Sequence, residues 1–125
     1  MHQINQEMKQ CVEKCLECYK VCRESAMNHC LQTGGEHVEP HHFRLMINCA
    51  DICATAADFM LSNSELHARI CAACAEVCEA CARSCEELGG MDDCVRACRA
   101  CAESCRKMAG TRTGRGEAER PAARA

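Results

Sequence analysis

An all-α fold, an antiparallel up-down-up-down four-helix bundle with a cysteine-lined core, is what this 125-residue sequence predicts. Three observations carry the prediction. Fifteen of the sixteen cysteines recur at steps of three and four on four successive segments, the spacing that keeps side chains on one face of an α-helix. Glycine, proline and serine clusters separate those segments. The segments are long and their connections short, so antiparallel neighbours are the simplest arrangement.

The first helix is read over residues 3–31, with a stripe of Cys11, Cys15, Cys18 and Cys22, and "TGGEHVEP" closes it. Pro40 suits the first turn of the second helix, residues 40–61, whose stripe is Cys49 and Cys53. "SNS" ends that helix, and Ser62 with Glu65 has the S-x-x-E spacing of a capping box for a third helix over 63–88. This helix carries "CAACAEVCEACARSC", with Cys71, Cys74, Cys78, Cys81 and Cys85 in register. Gly89 and Gly90 supply a left-handed stop. Asp92 and Asp93 favour the positive N-terminus of the last helix, 92–109, with Cys94, Cys98, Cys101 and Cys105. Alanines flank the stripes, and Glu76, Glu79, Arg83, Arg96, Arg99 and Glu103 take the outer faces. Residues 1–109 thus form one four-helix bundle domain, and the Arg/Ala/Gly-rich stretch 110–125 reads as a disordered tail.

Composition narrows the function. With no Trp, one Tyr and two Phe, the core has to be built from cysteine. The opening "MHQINQEMKQ" shows no basic region, apolar run or cleavage site of an export signal, so a reducing cytoplasm is expected, where thiols serve as metal ligands more than as disulfide partners. No apolar run is long enough to span a membrane. Net charge is −3, and the tail holds four Arg against two Glu, so the body is more acidic still and nucleic acid is not an expected partner.

A thiol stripe is a poor choice for packing alone, because Leu or Ile would bury further methylenes at about 0.8 kcal/mol each. Thiols stacked along one helix point in parallel and do not reach the dihedral of about 90° that a disulfide prefers. A thiol redox sensor or oxidoreductase needs a pair that opens and closes near the surface. Thiolates select Cu(I), zinc or iron–sulfur clusters. No cysteine precedes a proline as in ferredoxin-type runs, and C-x-x-C-H for covalent haem is missing. Zinc sites draw their four ligands mainly from knuckles and loops. Singly charged Cu(I), at one ion per thiolate, leaves little net charge inside the bundle, and an uncompensated buried charge is very costly. Cu(I) storage is the principal reading; a redox protein and a zinc or iron–sulfur module are the alternatives.

The alternation in "CVEKCLECYKVC", "CADIC", "CAACAEVCEACARSC" and "CVRACRACAESC" resembles the cytosolic branch of the bacterial copper storage proteins, over residues from about 3 to 109. The resemblance implies a four-helix bundle filled with multiple Cu(I) ions, storage without catalysis, and a homotetramer. Copper would come from a copper chaperone or a low-molecular-weight thiol.

Extending the seam past the thiols predicts what closes each end. One end collects Met8, Met60, His67 and Met108, and the other collects His29, His42, Leu88 and Met91, with Cys30, His37 and His41 nearby. Thioether and imidazole bind copper more weakly than thiolate and can pass it inward. The methionine end is the expected entrance, and Met8, Met60, His67 and Met108 join the sixteen cysteines as candidate ligands. Cys30 lies one residue off the stripe and is a candidate without an assigned place.

Overall fold

The computed structural model describes residues 3–119, with side chains over 3–110. Helix α1 (Gln6–Glu24) starts where the Asn5 side chain accepts a hydrogen bond from the Met8 amide at 2.8 Å. It passes unbroken into a π-helical segment (Ser25–Cys30) and a last α turn (Leu31–Thr33), and stops at Gly34 with φ of 71°. Only glycine adopts that backbone without a steric penalty. A 3₁₀ turn (Gly35–Val38) leads to α2 (Pro40–Leu61), capped by the Glu39 carboxylate on the His42 amide at 3.0 Å.

Helix α3 (His67–Leu88) begins later than the sequence suggests. Ser62 closes α2 instead of opening α3, its amide bonding back to the Asp58 carbonyl at 3.0 Å, so it is not the N-cap that the sequence suggests for α3. A turn through Asn63 (φ 53°) and Ser64 intervenes, with Ser64 Oγ accepting from the Leu66 amide at 3.1 Å. Asparagine is among the few non-glycine residues that tolerate this conformation. Gly89 and Gly90, with φ of 84° and 73°, make the stop before α4 (Asp92–Glu119). The backbone of α4 continues past the end near 109 suggested by the sequence, through the first part of the stretch read as a tail; the side chains beyond 110 and residues 120–125 lie outside the described residues.

Each helix packs on the next, and α4 closes the ring against α1, giving the up-down-up-down order. Among the described residues there is no strand, and none of their helices is long and apolar enough to cross a membrane. The interior is the set of stripes. Every cysteine is buried, interleaved with the fully buried Ala26, Ala50, Ala56, Ala57, Ala82 and Ala102. Small side chains let the helix backbones come close enough for facing thiols to meet. Outside, Glu79 of α3 pairs with Arg99 and Arg106 of α4, and Arg99 also reaches Glu86 at 2.8 Å.

Candidate metal centre

The stripes converge into a column. Nearest the methionine end, Cys11, Cys71 and Cys105 form one group, with the Cys11 and Cys105 sulfurs 3.8 Å apart. Next come Cys15, Cys74, Cys101 and Cys105, with Cys15 3.6 Å from Cys105 and 3.7 Å from Cys101. Cys53, Cys74, Cys78 and Cys101 follow; Cys53 stands 3.5 Å from Cys78 and 3.7 Å from Cys101. Then Cys18, Cys49, Cys53 and Cys78 form a group, and Cys18, Cys22, Cys49 and Cys98 another, the last with Cys22 and Cys98 3.6 Å apart. Each group shares at least one thiol with its neighbour, so the column has no gap between groups.

These separations have a chemical meaning. All sixteen cysteines are free, and sulfurs 3.5–4.0 Å apart are far beyond the disulfide bond of about 2.05 Å. A metal–thiolate bond of about 2.3 Å places two sulfurs on one ion about 3.8–4.6 Å apart for angles between tetrahedral and linear. The column can therefore accept two- or three-coordinate soft ions with small side-chain movements.

The protons are shared along it. Cys101 is driven well below the usual thiol range by hydrogen bonding with Cys105 first and then with Cys15, Cys18 and Cys53. Cys105 is driven up by bonding to Cys101, Cys11, Cys15 and Cys71, and Cys98 by bonding to Cys18, Cys22, Cys49 and Cys81, with burial adding to both. A monovalent ion replacing one of these protons leaves the charge of the column unchanged, which avoids the penalty of burying net charge.

At the opposite end of the column the sequence reading missed a sulfur. Met46, fully buried, accepts S–H contacts from Cys81 at 3.6 Å and Cys85 at 3.5 Å. The signal was present: Met46 precedes Cys49 by three residues and Cys53 follows by four, so the α2 stripe has three sulfurs. Cys94 completes this region, its thiol pushed up to about 12 chiefly by bonding to Cys22, with Cys85 beside it.

The predicted end groups separate. Met8, Met60 and Met108 are buried in the core beyond Cys11, Cys71 and Cys105. His67 is half-buried and donates its Nδ1–H to the Ser64 carbonyl at 2.8 Å. At the other end His42 is buried, while His29, predicted for the seam, is exposed and Cys30 is fully buried in its stead.

A family model described as "Copper storage protein" matches residues 4–110. The chain belongs to the copper storage protein family. Among solved structures, a protein from Nitrosospira multiformis is 55% identical, with a TM-score of 0.83 over 85% of this chain and 97% of that one. The Cu(I)-bound copper storage protein BsCsp3 is 39% identical with a TM-score of 0.77, covering 83% and 99% of the two chains. Apo copper storage protein 3 from Bacillus subtilis is 40% identical with a TM-score of 0.67, covering 81% and 97%. As a copper storage protein, this chain carries twelve of its sixteen thiols in five overlapping buried groups, with a thioether completing the row on its thiol-poor second helix.

Proposed function

We propose that this protein sequesters multiple Cu(I) ions along its thiol column and detoxifies copper by storage, without catalytic turnover. The observation that carries the reading is the continuity of the column, in which buried groups share thiols at metal-bridging separations. The Cu(I)-bound relative adds support. The redox alternative lacks the surface thiol pair that it needs, since every cysteine is buried.

The sixteen cysteines are the ligands, with Met8, Met60, His67 and Met108 as softer groups at one end. The working compartment is the cytoplasm, where a copper chaperone or small thiol delivers the ion. The assembly is a homotetramer, which would cover exposed apolar side chains such as Leu16, Leu31, Leu61 and Leu66.

Anaerobic titration of the reduced chain with Cu(I), against a strong Cu(I) chelator, tests the reading. Uptake should continue until the ions roughly equal the column thiols. Saturation at one or two ions would remove it.

A further inference from the structure

Cys30 is the thiol that the column leaves out. It is buried because of the π-helical segment Ser25–Cys30. One wide turn inserts an extra residue into the register, so that His29 turns outward and Cys30 turns in. Such turns occur frequently at functional positions. This one brings Cys30 Sγ to 3.9 Å from His37 Nδ1, on the Gly35–Val38 turn, with the His29 ring edge-on to His37 at 5.0 Å between centroids. Metal bonds of about 2.3 Å to thiolate and about 2.0 Å to imidazole put S and N about 3.7–4.3 Å apart for trigonal to linear coordination. The pair is at metal-bridging distance already.

An independent observation lies one step further in. His42 is 4% exposed, its Nδ1 is 2.8 Å from Ser84 Oγ, and its Nε2 is buried with no hydrogen-bond partner. With Nδ1–H donated to Ser84, Nε2 presents a lone pair, the arrangement in which a second group orients a metal-binding imidazole. His42 stands one helical turn before Met46, whose sulfur touches Cys81 and Cys85. Cys81 also acts electrostatically on both Cys30 and His42, and His37 acts on His42. These groups therefore lie around the same end of the column, with Cys30 and His37 in contact and His42 one helical turn from Met46.

We propose that Cys30, His37 and His42 form a Cu(I) transfer site beside the thiol column, at the π-helical end of the bundle, which hands ions to Cys81 and Met46. The proposal rests on the storage reading and names the route that serves it. The ion stays Cu(I) throughout. It leaves its carrier for Cys30 as that thiol releases a proton to solvent, and the thiol regains a proton when the ion moves on. One thiolate with imidazoles binds Cu(I) less tightly than groups of three or four thiolates, so transfer runs inward.

The test is stopped-flow loading of the full, reduced chain from a Cu(I)–bicinchoninate complex. The triple variant Cys30→Ser, His37→Ala, His42→Gln is expected to load about tenfold more slowly than wild type while losing about one ion of capacity at most. Should His42→Gln disturb folding, Cys30→Ser with His37→Ala, which leaves the buried ring in place, is expected to slow loading about threefold. His37→Cys, which keeps a soft donor there, should load at the wild-type rate. Unchanged rates in the slowed variants, or a slowing seen with Met8, Met60 and Met108 changed to Leu and not with these, would overturn the proposal and move the entrance to the methionine end. A wild-type chain that saturates at one or two ions would instead fail the storage titration itself, which separates the two failures.

Discussion

The Met46 thioether lies 3.5 Å from the Cys85 sulfur and 3.6 Å from that of Cys81, inside a column otherwise made of thiols. At this level α2 therefore contributes a neutral sulfur where a cysteine would contribute an anionic one. Met46→Leu keeps the volume and apolar character, so the apo protein should lose less than about 1.5 kcal/mol. Copper at the Cys81/Cys85 end should be held less tightly, and a chelator competition should show about one ion released earlier than from wild type. Identical competition curves would mean that Met46 is packing only.

Thiols shared between groups should matter more than those at the ends. Cys18 and Cys49 each belong to two groups, whereas Cys11 and Cys71 belong only to the terminal one. Changing Cys18 and Cys49 together to Ser should therefore lower Cu(I) capacity by more than changing Cys11 and Cys71 together. Serine on a helix can bond its own i−4 carbonyl, so the bundle should survive both changes. Equal losses from the two pairs, measured by anaerobic titration, would argue for independent sites instead of a shared column.

How much of this was legible beforehand follows from what kind of signal each feature leaves. The α2 boundaries, Pro40–Leu61, are readable because Pro40 and the residues after Leu61 act locally on the backbone. The start of α3 is not, because the S-x-x-E spacing at Ser62 and Glu65 competes with the same serine ending α2, and the tertiary path decides. Stripes of cysteine are conspicuous at steps of three and four, but Met46 continues one with a different residue type and passes as core. Cys30 was unplaceable because a π-helical turn shifts register by one residue and leaves no pattern in a single sequence.

The apo fold should not depend on copper. Caps at Asn5 and Glu39 and the stops at Gly34 and Gly89 are formed by the chain itself. Far-UV circular dichroism of the reduced, metal-free protein should already show a mainly helical spectrum, with little change on loading. A coil spectrum that becomes helical only with Cu(I) would place this chain among proteins that metal binding folds.

The α3–α4 seam should soften in acid for a reason separate from the thiols. Glu79 is held below the usual carboxylate range, first by its hydrogen bond from Arg106 and then by the charges of Arg106, Arg99 and Arg83. A carboxylate with a depressed folded-state pKa contributes stability above its unfolded value and loses it as pH falls through the folded value. Because Arg99 and Arg106 are 42% and 55% exposed, water screens the pairs, and the whole contribution should stay within about 1 kcal/mol. Glu79→Gln should lower the urea midpoint of the apo protein near neutral pH in low salt, and less so in high salt. Once the pH is low enough to protonate Glu79 in the folded chain, below the usual carboxylate pKa of about 4, the two proteins should unfold together. A difference that persists unchanged through the acid range would show that Glu79 acts by packing its side chain on α4, not by charge.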